Sequence, residues 1–62
     1  MSYNKKLLKL AELTLEMTKK EYKLTLVKAG IEQGDLEKLQ EDFNVSKYRV
    51  LRLASEIEDM ER

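Results

Sequence analysis

The feature that most constrains this chain is its small size combined with the absence of cysteine. It has 62 residues and no cysteine. A domain near 60 residues buries only about 60% of the surface that its unfolded chain exposes, so its margin of stability is thin. No disulfide can compensate for the small core, and the absence of disulfides favours a reducing compartment, the cytoplasm. Association with a second copy would supply the missing apolar contacts, so we expect a homodimer.

The chain lacks the residue types on which most catalytic mechanisms rely. The chain also lacks histidine, so it has neither the side chain that titrates near neutral pH nor the usual transition-metal ligands. The adjacent acids of 41–42 and 58–59 would not face each other on a helix, so neither pair makes an acid/base or metal site. No apolar run approaches the roughly 18 residues that span a bilayer. We expect a protein that is not an enzyme, needs no cofactor or metal and does not cross a membrane.

The first half of the chain has the pattern of a long amphipathic helix. With no proline and two glycines, the composition favours helices. The first predicted helix spans residues 3–29, with Ser2 or Asn4 as its N-cap and Gly30 just after its end. Its apolar stripe comprises Leu8, Ala11, Leu15, Tyr22, Leu26 and Ala29, widened by Leu7, Leu10 and Met17. This stripe is wide enough to serve a core and a partner together.

One stretch of that helix also fits a strand. Residues 22–28 alternate in residue types that favour strands, such as Tyr22, Thr25 and Val27. A continuous helix and a strand at 22–28 therefore both remain open from the sequence.

The second half predicts two shorter helices after a connector at residues 30–35. Asp35 is the expected N-cap of a helix over 35–43, and Asn44 suits a left-handed turn position. Ser46 is the expected cap of a last helix over 46–61. The core face of that last helix comprises Val50, Leu53, Ala54, Ile57 and Met60. The sequence thus predicts an all-α fold, a small three-helix domain over residues 1–62 that is dimeric.

Residues 35–61 contain a segment that resembles a known DNA-binding motif. The stretch Leu39-Gln-Glu-Asp-Phe43-Asn-Val-Ser-Lys-Tyr-Arg-Val-Leu-Arg-Leu-Ala54 looks like the helix-turn-helix of bacterial transcription regulators. The apolar residues of that motif, which pack its two helices together, correspond to Leu39, Phe43, Val45, Val50 and Leu53. The resemblance implies that the last helix is a recognition helix that enters the major groove of duplex DNA.

The residues at the start of that helix are the candidate DNA contacts. They are Ser46, Lys47, Tyr48, Arg49 and Arg52. Arginine and lysine can reach guanine acceptors or the backbone, and a serine beside exposed N–H groups suits a phosphate. The competing interpretation is a solvated face on which Arg52 pairs with Glu56.

A second resemblance implies the same ligand through another fold. Residues 22–28, the helix containing Leu36-Glu-Lys-Leu39 and the turn Asn44-Val-Ser-Lys47 are similar to ribbon-helix-helix repressors. In that family, paired strands of a dimer enter the major groove. The resemblance implies that Lys23, Thr25 and Val27 face the bases.

The charge distribution keeps a different class of function open. Residues 1–30 hold seven lysines and three glutamates, a formal charge of +4, whereas residues 31–62 carry −4. The two halves can pair within the fold, or the basic half can face a polyanion. We therefore expect a small DNA-binding transcriptional regulator. The alternative is a helical protein–protein interaction module, of a modulator or antirepressor type, that does not bind DNA.

Overall fold

The computed structural model describes residues 2–61, which form two helices and no strand. Helix α1 spans Tyr3–Lys28 and helix α2 spans Leu36–Met60. The helices pack antiparallel as a rod with extents of 44 × 15 × 15 Å. The all-α prediction is confirmed, but the predicted three-helix domain with a helix-turn-helix is wrong. The two terminal residues of the predicted 1–62 domain lie outside the described part.

Helix α1 is unbroken through the segment that also fitted a strand. Residues 22–28 are helical, so the strand alternative is wrong. The Ser2 hydroxyl accepts a hydrogen bond from the Lys5 N–H at 3.4 Å, which makes Ser2 the N-cap. At the other end, Gly30 has a φ of 76°, and its N–H donates to the Val27 carbonyl. The Ile31 N–H donates to the Leu26 carbonyl, which completes a Schellman motif.

The connector over residues 29–35 turns the chain tightly against both helices. A Cβ on Gly34 would lie 3.0 Å from Val27 Cγ2 and 3.1 Å from Leu39 Cδ1, so glycine permits this close approach. Asp35 is the N-cap of α2, as predicted, and its carboxylate accepts from the Lys38 N–H at 3.3 Å. Gly30 after α1 and Asp35 before α2 thus set the two ends of the turn.

Helix α2 continues through the expected turn. Residues 39–54 are all helical, and no residue other than glycine between 2 and 61 has a positive φ. The predicted left-handed Asn44 is therefore wrong, as is the predicted cap at Ser46. Asn44 instead accepts a side-chain hydrogen bond from Gln40 at 3.1 Å, one turn earlier on the same helix. Neither glycine nor proline interrupts α2, so nothing forces the helix to end there.

The two helices meet along seams with alternating spacings of three and four residues, the pattern of a coiled coil. On α1 the buried and half-buried positions of this seam are Lys6, Leu10, Leu13, Met17, Lys20, Leu24 and Val27. On α2 they are Leu39, Phe43, Ser46, Val50, Leu53 and Ile57. Leu24 and Ile57 are the most buried apolar residues described, each 5% exposed. The core is consequently one layer between two helices.

Polar contacts join the basic and acidic halves. The Tyr3 hydroxyl donates to the Glu61 carboxylate at 2.6 Å, and Lys6 Nζ lies 3.3 Å from Glu56 Oε2. Near the connector, Lys23 Nζ lies 2.8 Å from Glu32 Oε2. Opposite charges therefore pair within the fold, which is one of the two interpretations that the charge distribution allowed.

Candidate functional site

The five residues expected to contact DNA lie in the middle of α2 and do not share one face. Successive residues of an α-helix are rotated by roughly 100°. Arg52 is therefore a neighbour of both Tyr48 and Arg49, at spacings of four and three residues, and the three side chains line one exposed surface. Lys47 is exposed but lies on the other edge of the helix, roughly 200° from Arg49.

Ser46 lies on the opposite side of α2, in the interface with α1. It is only 3% exposed, and its hydroxyl has no hydrogen-bond partner within residues 2–61. Its backbone belongs to the interior of a helix, so the exposed N–H groups of a helix N-terminus are not present there. The structure therefore brings three of the five residues together and separates Ser46 and Lys47 from them.

Two apolar residues extend this surface, which we call the Tyr48 face: Val45, Tyr48, Arg49, Leu51 and Arg52. Val45, Tyr48 and Leu51 are 45%, 63% and 59% exposed. Leu51 is not among the residues that the sequence predicted for the core face of the last helix. Val45 was missed because the helix-turn-helix resemblance assigned it to a packed turn. A continuous helical pattern over residues 45–52 would have found it at three residues from Tyr48.

The charges of the Tyr48 face are positive at its centre and negative at its ends. Arg49 and Arg52 form no salt bridge with any other described residue, and Glu56 pairs with Lys6 and not with Arg52. Seven residues before Tyr48 lies Glu41, and seven residues after Arg52 lies Asp59, both exposed. These acids share the direction of the face, because seven residues are close to two helical turns.

A second apolar surface lies on the back of α1. Leu8, Leu15 and Tyr22 recur every seven residues and are 63%, 57% and 67% exposed. The sequence predicted them as part of one wide stripe with Leu10 and Met17. In the structure Leu10 and Met17 turn toward α2, whereas Leu8, Leu15 and Tyr22 point away from it.

Residues 2–61 contain no cluster of acids that could hold a metal ion and no concave pocket. Neither described helix is long and apolar enough to span a membrane. Comparisons of the chain with protein-family models, with curated proteins and with solved structures give no significant match.

Proposed function

We propose that this chain is a helical protein-interaction module that binds an acidic amphipathic helix of another protein through the Tyr48 face. The observation that carries the proposal is the exposure of Val45, Tyr48 and Leu51 beside two arginines that have no ion pair among the described residues. Tyrosine and arginine are the residue types that most often dominate binding energy at protein interfaces. Large apolar side chains grouped on a surface are typical of interaction sites.

The charges define the partner. A helix that crosses α2 at an angle would contact its centre, where Arg49 and Arg52 can pair with acids beside the partner's apolar residues. Such a helix would avoid Glu41 and Asp59 at the ends of the face. An acidic amphipathic helix therefore fits the Tyr48 face better than a basic one.

Duplex DNA is the competing ligand, and the same residues argue against it. A duplex lying along α2 would bring phosphates close to Glu41 and Asp59, and those like charges repel. The chain as a whole has a formal net charge of zero, which supplies no general attraction for a polyanion. Ser46 is buried against α1, so the phosphate contact expected from its hydroxyl is not available to a duplex.

The test is a titration of the full chain, followed by NMR, with a designed helical peptide. The peptide carries leucines three and four residues apart with flanking glutamates, and a second peptide has lysines in place of those glutamates. We expect amide shifts centred on residues 45–52, and binding of the acidic peptide roughly tenfold tighter than that of the basic one. Equal binding of the two peptides, or shifts centred elsewhere, would contradict the proposal.

Variants separate the protein partner from DNA. Tyr48→Ala and Arg52→Ala should each weaken acidic-peptide binding by roughly tenfold. Lys9→Ala also removes one positive charge but lies on α1, away from the face, so it should leave peptide binding unchanged. Tighter binding of a random duplex than of the acidic peptide at low salt, weakened by Lys47→Ala and Arg52→Ala alike, would overturn the proposal in favour of DNA.

A further inference from the structure

We infer that the back of α1 is covered by a second copy of this chain, with the two α1 helices packed antiparallel. We call this surface the α1 seam: Asn4, Leu8, Ala11, Leu15, Thr18, Tyr22, Thr25 and Ala29. The inference concerns a different helix from the Tyr48 face and does not depend on it. The resulting dimer places the two α1 helices at its centre and the two α2 helices outside.

The α1 seam has the spacing of a second coiled-coil interface. Its positions follow one another at intervals of four and three residues, from Asn4 to Ala29. All eight positions are uncharged, although 39% of the chain is charged. All eight are exposed in the single chain. A solvated face would not need to exclude charge over seven turns of helix.

The sizes of the seam residues favour an antiparallel partner. From Leu8 to Thr25, large and small residues alternate along the α1 seam, with Leu8, Leu15 and Tyr22 as the large ones. When two such helices run antiparallel in the register that overlaps them fully, Leu15 lies level with Thr18 of the second copy. In the same register Tyr22 lies level with Ala11 of the second copy, so a large side chain always meets a small one. Parallel helices would stack leucine on leucine and threonine on threonine, which packs unevenly.

The hydroxyl groups near the centre of the seam can be buried without losing a hydrogen bond. Thr18 Oγ1 donates to the Thr14 carbonyl at 2.9 Å. Thr14, which borders the seam, donates in the same way to the Leu10 carbonyl at 2.8 Å. A buried hydroxyl destabilises an interface chiefly when it has no partner. These threonines therefore behave as small, nearly apolar residues toward a second helix.

The charges that border the seam are complementary in the antiparallel register. Glu12 and Lys19 are exposed on the same edge of the seam. In the fully overlapped register, Glu12 lies beside Lys19 of the second copy, and the two-fold axis repeats the pair. Flanking positions of this kind set orientation and partner choice in coiled coils. In a parallel pair Glu12 would lie beside Leu7 of the second copy, and Lys19 beside Thr14, so no opposite charges would meet.

The first experiment measures self-association by sedimentation of the full chain. Leu15→Glu places a charge at the centre of the seam and should shift the protein to a monomer at concentrations where the parent is a dimer. Leu51→Glu is the matched control, an exposed leucine on α2, and should remain dimeric. Circular dichroism establishes that both variants stay helical. A parent that is monomeric at its highest soluble concentration, or a Leu15→Glu variant as dimeric as the parent, would overturn the inference.

The second experiment tests orientation with spin labels, which the absence of native cysteine permits. Labels on Asn4→Cys should be about 38 Å apart in the antiparallel dimer, because residue 4 lies level with residue 29 of the second copy. A parallel dimer would bring the two labels side by side, and a short distance would overturn the proposed orientation.

Charge reversal tests the register. Glu12→Lys or Lys19→Glu alone should weaken the dimer by roughly tenfold at low salt, and the two together should restore it. Two single effects that simply add in the double variant would contradict the register.

Dimerisation through the α1 seam is independent of the Tyr48 face. Leu15→Glu should still bind the acidic peptide, whereas Leu51→Glu should bind it poorly while remaining a dimer.

Discussion

At the scale of single residues, Ser46 explains why the second half of the chain looked like two helices. It lies on the seam that faces α1, between the half-buried Phe43 and Val50. A polar residue at that place interrupts the apolar stripe, so the sequence pattern favours a helix that ends near Phe43 and another that starts at Ser46. The hairpin accepts Ser46 because the side chain is small. The contacts of Tyr3 with Glu61 and of Lys6 with Glu56 place Ser46 near the level of Met17 on α1.

Replacing Ser46 by alanine should stabilise the hairpin. The hydroxyl is buried without a partner in the described part of the chain, and such a group destabilises a fold by about 1–3 kcal/mol. Ser46→Ala should raise the free energy of unfolding by about 1 kcal/mol or more in urea denaturation. The matched control is Ser55→Ala on the exposed side of α2, which changes only helix propensity, by at most about 0.5 kcal/mol. Equal effects at the two serines would mean that the Ser46 hydroxyl has a partner after all.

Tyr3 gives the hairpin a dependence on alkaline pH. Its hydrogen bond to Glu61 raises the pKa of the phenol above its usual value of 10.0, and partial desolvation and the negative charge of Glu61 act in the same direction. Because the pKa is raised in the folded state, the contact stabilises fully below the usual value and is lost as the pH rises through the folded-state value. The stability difference between the parent and Tyr3→Phe should therefore shrink above about pH 10. Urea denaturation of the parent and of Tyr3→Phe at pH values on either side of about 10 measures this difference, and a difference that stays constant would contradict the prediction.

At the scale of the helices, residues with strong local preferences could be interpreted from the sequence. Gly30 and Asp35 act on the backbone within one turn, and both occupy the predicted ends of helices. The face that α1 presents to α2 could not be predicted in the same way. Helix α1 carries two apolar stripes, and the pattern of one helix does not say which stripe meets its neighbour.

The continuity of α2 can be tested by proline substitution. Val45→Pro removes a hydrogen bond in the middle of the helix and introduces a clash with the preceding turn, which costs about 3 kcal/mol or more. We expect this variant to lose most of its helical circular dichroism. Leu36→Pro is the control, since the first residue of a helix accepts proline, and Asp35 before it is already extended. A Val45→Pro variant as helical as the Leu36→Pro control would indicate a turn at that position.

The arrangement of the candidate site could likewise be predicted only in part from the sequence. The grouping of Tyr48, Arg49 and Arg52 on one face could be predicted from helical spacing alone. The same spacing also separates Lys47 from Arg49. The burial of Ser46 could not be predicted, because it depends on whether residue 46 begins a helix or lies within one. In a recognition helix that starts at Ser46, its first residues would all be available to a ligand. In a longer helix packed on α1, their directions are divided between the core and solvent.

At the scale of the whole molecule, the hairpin has little core. Within the described range, Leu24 and Ile57 are the most buried apolar residues, each 5% exposed. Two lysines, Lys6 and Lys20, occupy positions on α1 that face α2. A single layer between two helices leaves each helix with one face in water. Small domains with so little buried surface usually need an additional source of stability. The exposed Leu8, Leu15 and Tyr22 are where a second copy would supply it.

Thermal stability should therefore depend on protein concentration. A partner that binds the folded chain alone stabilises it by mass action, so the melting temperature of a dimer rises as the concentration rises. We expect the melting temperature of the parent, followed by circular dichroism, to increase over a hundredfold range of concentration. Leu15→Glu should melt at a lower temperature that is independent of concentration, whereas Leu51→Glu should keep the parent's dependence. A melting temperature of the parent that stays constant over this range would mean that the hairpin is stable by itself, and the exposed α1 residues would then need another explanation.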